Sequence, residues 1–159
     1  AKVQPAGDPW QAYCQLFIAW GQMWSGDKTA ARASFERTLE VINSMYRSEA
    51  DDIKLSQAYA ITYAGLGDEK QAMLWAKRGV ELNAGDAFLL PRSEATLAQV
   101  EAAFGHVDAA VAMVPHLLEV PNGETRATMR LHPVWDPLRS DPAFLKLVAA
   151  DAGSGSSPH

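Results

Sequence analysis

The stretch Ser56–Asp86, SQAYAITYAGLGDEKQAMLWAKRGVELNAGD, decides the fold. It holds two segments with apolar residues at helical spacing, separated by a glycine and an aspartate. Before the break stand Tyr59, Ala60 and Tyr63; after it stand Ala72, Ala76 and Val80. Residues three and four apart share one face of a helix, so each segment presents a single apolar side. At Gly67 and Asp68 a residue that tolerates positive φ ends one helix and a polar residue starts the next. The stretch therefore predicts a helical hairpin. Ala72 fits the close crossing of its two helices.

The same arrangement recurs, and a motif repeating every few tens of residues points to stacked units. GDKTAA at Gly26–Ala31, GDEKQA at Gly67–Ala72 and GHVDAA at Gly105–Ala110 each place a glycine five residues before an alanine. Upstream, Ile18, Ala19 and Gln22 match Tyr59, Ala60 and Tyr63, and then Leu97, Ala98 and Glu101. Downstream, Phe35 and Leu39 match Ala76 and Val80, and then Val114 and Leu118. The expected helices are Asp8–Ser25, Lys28–Tyr46, Glu49–Leu66, Glu69–Leu82, Ser93–Phe104, Val107–Leu118 and Pro142–Ala150. Asn83–Asp86 and Val120–Thr125, rich in turn residues, read as loops closing the second and third hairpins, and Pro91 suits the first turn of a helix.

On these residues the chain resembles the tetratricopeptide repeat family over roughly Trp10–Pro121. Tyr59, Ala60, Tyr63, Gly67, Ala72 and Gly79 fall on the family pattern. The repeat glycines are 41 and 38 residues apart, against about 34 for the standard unit, so the helices are extended. The resemblance implies an all-α fold, a right-handed α-α superhelix of three helical hairpins with a C-terminal capping helix. Residues 8–150 are then one domain, with repeats near 10–46, 50–84 and 91–121, a cap at 133–150, and 151–159 as a flexible tail or expression remnant. It also implies a concave face lined by the first helix of each hairpin. Leu16, Trp20 and Met23 fall there in the first unit, Lys54, Gln57 and Ile61 in the second, and Arg92, Ala95 and Gln99 in the third. Family members that grip a C-terminal carboxylate use Lys, Asn and Arg at positions held here mainly by Leu16, Trp20, Gln57, Ile61 and Ala95. That clamp is expected to be absent.

Composition narrows the chemistry. A net charge of −5, from 14 basic and 19 acidic side chains, disfavours a nucleic-acid surface, which clusters cations to displace counterions. The single cysteine, Cys14, excludes a disulfide within the chain and a multi-cysteine zinc site. Set among Tyr13, Phe17 and Ile18, it reads as a small buried, inert hydrophobe. No two of His106, His116, His132 and His159 show the i, i+4 spacing of helical metal ligands. No GxSxG, GxGxxG or GxxxxGK[ST] motif occurs. Asp51 with Asp52, and Glu36 with Glu40, read as helix-end charge and a solvated face. The expectation is a protein with no catalysis, metal or cofactor of its own. No apolar run reaches the roughly 20 residues that span a bilayer, and AKVQPAGDP lacks a signal-peptide core. A start at Ala1 without methionine points to a processed protein or an excised part of a longer one. A cytoplasmic location is expected, with a periplasmic part of a membrane-anchored protein as the alternative.

The first helix carries two apolar stripes. Trp10, Tyr13, Cys14, Phe17, Gly21 and Trp24 form one and are expected in the core; Leu16, Ala19, Trp20 and Met23 form the other. The second stripe either lines a binding groove or packs against the third helix or a preceding element. Near the other end, LHPVWDPLRSDPAFLKLV (Leu131–Val148) gathers His132, Asp136, Arg139 and Asp141 like an active site. Asp136 before Pro137 and Asp141 before Pro142 instead read as helix starters. Trp135, Leu138, Phe144, Leu147 and Val148 supply a face to cover the third hairpin, and Arg139 a tie to a carboxylate or to a neighbouring helix's last carbonyls. The segment is similar to endings of tetratricopeptide arrays in bacterial signalling proteins. The expected function is a protein-interaction scaffold that binds a peptide or partner helix along the concave face, within a larger bacterial regulatory protein. The alternatives are a small-molecule-sensing domain and a self-association module forming a homodimer.

Overall fold

The computed structural model describes residues 9–46 and 52–149, with side chains from Ala12 and from Leu55 onward in the two segments. Among these residues the chain is all-helical and builds consecutive packed hairpins. α1 (Pro9–Trp24) pairs with α2 (Lys28–Met45), α3 (Asp52–Leu66) with α4 (Glu69–Leu82), and α5 (Leu90–Ala103) with α6 (Val107–Glu119). A short α7 (Arg126–Leu131), a 3₁₀ helix (Pro133–Leu138) and α8 (Pro142–Val148) follow.

The three hairpin turns are one device used three times. Gly26, Gly67 and Gly105 have φ of 88°, 79° and 80°. Each glycine N–H donates to a carbonyl three residues back, and the next residue's N–H donates to the carbonyl five residues back: Asp27 to Gln22 at 3.0 Å, Asp68 to Tyr63 at 2.9 Å, His106 to Glu101 at 2.9 Å. Paired bonds of this kind satisfy the last carbonyls of the outgoing helix. In the first two turns that same residue then opens the next helix. The Asp27 carboxylate accepts from the Ala30 N–H at 3.0 Å and the Asp68 carboxylate from the Gln71 N–H at 3.1 Å. His106 makes no such cap; its ring instead lies between Glu101 at 2.6 Å and Glu69 at 3.3 Å. The turns are tight enough that Ala31, Ala72 and Ala110 are buried at the helix crossings.

Four apolar clusters run along the stack. Leu16, Ala19, Ala31, Phe35 and Ile61 join the first two hairpins, and Ile42, Leu55, Ala58 and Tyr59 extend that contact. Ala60, Ala72, Ala76 and Val100 join the second hairpin to the third. Ala98, Ala110, Val114 and Leu117 meet Met129, Trp135, Leu138, Phe144 and Val148 from the C-terminal segment. Trp135, Leu138, Phe144 and Val148 of the Leu131–Val148 segment are thus core, packed on the third hairpin.

Three expectations are corrected here. α5 starts at Leu90, three residues before Ser93, because the Asp86 carboxylate collects the Phe88 and Leu89 N–H groups at 2.8 and 2.9 Å and leaves Pro91 in the first turn. Asp136 opens no helix: it lies inside the 3₁₀ turn and pairs with Arg139, while His132 Nδ1 accepts the Val134 N–H at 3.3 Å. Asp141 does cap α8, accepting from the Phe144 N–H at 2.8 Å. The first stripe of α1 is not core: Cys14, Phe17, Gly21 and Trp24 are exposed, and Ala12, Leu16 and Ala19 are buried in its place. A helix packed against one neighbour buries one side, and here Leu16 and Ala19 meet Ala31 and Phe35 of α2 and Ile61 of α3. Cys14 is an exposed thiol. Asp51 lies outside the described residues, as do residues 47–50 and 150–159, and the side chains of Trp10, Asp52 and Lys54 are not described.

Candidate binding cavity

α1, α3 and α5 lie side by side, and the chain leaving α6 folds back across them. His132 closes the crossing. Its ring sits edge-on to Trp24 at 5.1 Å and 90°, and to Trp20 at 6.3 Å and 76°, while Trp20 and Trp24 stack on each other at 5.5 Å. Beneath this closure is a half-open cavity of about 370 Å³, within the size range of small-ligand sites. A second, smaller cavity of about 260 Å³ lies on the other side of Val134, sharing Trp20, Ile61 and Gln99 as walls.

The structure brings most of the residues expected in a groove around the larger cavity: Leu16, Trp20, Gln57, Ile61, Arg92 and Gln99, with Ala95. Met23 faces the smaller one. Leu16 and Ile61 are 2% and 9% exposed, so they are floor and core rather than contact surface. Residues not anticipated complete the walls. Tyr13 and Phe17 come from the stripe expected in the core, and Thr96 from α5. Asn122, Glu124, Thr128, His132 and Trp135 come from the returning chain. No local pattern announces where a segment folds back. The one signal was compositional, the two apolar stripes of α1, since a helix with two apolar sides is either buried on both or exposes a patch.

The polar groups divide along the cavity. Gln57 Nε2 donates to Thr96 Oγ1 at 2.8 Å, and Thr96 donates to the Arg92 carbonyl at 2.9 Å. Arg92 is exposed and pairs with no carboxylate among the described residues. Burial raises the Tyr13 hydroxyl above its ordinary pKa of 10.0, and the nearby Arg92 guanidinium partly offsets this. Seven residues along α5, Gln99 Nε2 reaches Glu124 Oε1 at 3.5 Å. Burial pushes the Glu124 carboxyl above its usual 4.5. Trp135, fully buried in the wall, keeps its indole N–H without an acceptor. Among the described residues no group of three or more His, Cys, Asp or Glu is placed to hold a metal ion, and no helix is long and apolar enough to cross a membrane.

The closure carries a pH dependence. Burial, then the neighbouring Arg139 guanidinium, hold His132 below its ordinary 6.5, with Asp136 pulling the other way. The folded state resists the proton that the unfolded chain accepts, so this contribution is complete above about 6.5 and is lost as pH falls toward the folded value. Between about pH 7.5 and 5.5 the Tm of the native protein is expected to fall further than that of a His132→Phe variant, which keeps a ring without a titration in this range. Equal slopes would show that His132 titrates as in the unfolded chain.

Compared with protein-family models, curated proteins and solved structures, the chain returns no match, and the cavity is read from its own geometry.

Proposed function

We propose that the three hairpins are tetratricopeptide-like repeats in a right-handed superhelix, and that the chain is a non-catalytic binding module that takes a compact ligand on the inner face. The observation that carries this reading is the His132 closure over Trp20 and Trp24. It turns an open groove into a cavity of about 370 Å³. A partner helix is about 10–12 Å across with its side chains and needs an open trough. A small molecule needs the converse, concave walls with a few placed polar groups among aromatic ones. Tyr13, Phe17 and Trp20 supply the aromatic surface, and Gln57, Arg92, Gln99 and Glu124 the polar groups. The small-molecule alternative therefore stands ahead of the peptide-groove scaffold.

Ligand-detected NMR with a fragment library tests this. Fragments that compete for one site and move the indole N–H resonances of Trp20 and Trp135 are the expected result, the assignments coming from Trp→Phe variants. Shifts confined to outward residues such as Ile18 and Leu74, or no competing fragments at all, would sink the reading.

A further inference from the structure

The cavity carries one cation and one anion that do not neutralise each other. Among the described residues Glu124 is the only carboxylate in its walls and Arg92 the only guanidinium. The Arg92 guanidinium is near enough to the Tyr13 hydroxyl to act on its charge, while the Glu124 carboxylate accepts from the Gln99 amide. Among the described residues the Glu124 carboxylate forms no ion pair, and burial raises it above its usual range. An enclosed carboxylate lacking a positive partner is a recognition group for one, since an isolated charge out of water is costly until paired. Arg92 and Gln99, the residue whose amide holds Glu124, stand seven residues apart on α5, about 10 Å of helix rise. Gln57 and Thr96 lie between them, joined by a hydrogen bond that fixes both side chains. Trp20 lines the same cavity, and aromatic faces attract ammonium groups. The orphaned Trp135 indole N–H adds a buried donor to the wall.

From this arrangement we infer that the cavity takes a short zwitterion, with an ammonium toward Glu124 and a carboxylate toward Arg92 about 10 Å apart, the reach of a tripeptide in extended form. The inference rests on the compact-ligand reading above. An α-amino acid is too short to meet both charges at once. A carboxylate alone would meet Arg92 but leave Glu124 unpaired.

The test is calorimetric titration of the whole chain with Ala-Leu-Ala, its N-acetyl form, its C-terminal amide and free alanine. Saturable binding of Ala-Leu-Ala is expected, weakened at least about tenfold by either blocking group, with free alanine weaker still. Glu124→Gln should weaken Ala-Leu-Ala about as much as N-acetylation and no longer distinguish the acetylated form; Arg92→Gln should do the same for amidation. Both variants should keep the native Tm within a few degrees. If blocked and free peptides bind equally, the cavity binds ligands but not by their charges, and the inference falls. If fragments occupy the cavity by NMR while no peptide form binds, the inference falls and the compact-ligand reading stands. If neither fragments nor peptides bind, both fall.

Discussion

Trp135→Ala is expected to destabilise the protein by about 3–5 kcal/mol. The side chain is fully buried, lies among Val114, Leu117, Met129 and Leu138, and stacks on Phe144 with centroids 6.5 Å apart. Removing it opens a void between the third hairpin and three separate pieces of the C-terminal segment, a site with little room to collapse. Against a total stability of roughly 5–15 kcal/mol, this shifts a urea midpoint by about 2 M for a slope near 2 kcal/mol/M. Trp135→Phe should cost far less, since it keeps most of the ring and removes a buried N–H that has no acceptor. A loss below about 1 kcal/mol for the alanine variant would mean that the segment is an appendage, against its observed burial.

Gly65→Val is expected to cost about 3 kcal/mol, as overpacking at a site that cannot yield. The change would be favourable on an exposed helix, because glycine is about 1 kcal/mol poorer than alanine as a helix former and valine lies between them. The sign reverses here because a side-chain carbon on Gly65 would enter the ring of Phe35, which is fully buried between α1, α2 and α3. Phe35→Leu made in the Gly65→Val background should recover part of the loss, and the two changes should depart from additivity by more than about 0.5 kcal/mol. Strict additivity in a double-mutant cycle would show that valine finds room elsewhere.

Much of the helical framework was legible because it is written in local chemistry. Each Gly-Asp or Gly-His turn carries its φ preference and its paired amides within six residues, and α4 falls on its expected bounds, Glu69–Leu82. The cavity was legible by halves. The resemblance to tetratricopeptide repeats implied that Gln57, Arg92 and Gln99 share one side of the stack, and the three do line one cavity. Helical spacing misjudged α1, where Leu16 and Ala19 are buried and Phe17 is 58% exposed. Periodicity identifies two stripes without saying which one α2 covers. Glu124 and His132 were beyond reach for a different reason. Their places depend on how a chain after Pro121 crosses back over residues a hundred positions earlier, a path that no short-range pattern encodes.

The ring of His132 resting on Trp20 and Trp24 has a consequence for how the molecule comes apart. Stacked hairpins that touch only their sequence neighbours unravel from the ends, each terminal unit peeling at its own free energy. Here the last segment is fastened to the first helix, so neither end is free to fray without releasing the other. Thermal melting should therefore follow a single sharp transition, and amide exchange in α1 and α8 should approach the rate set by global opening.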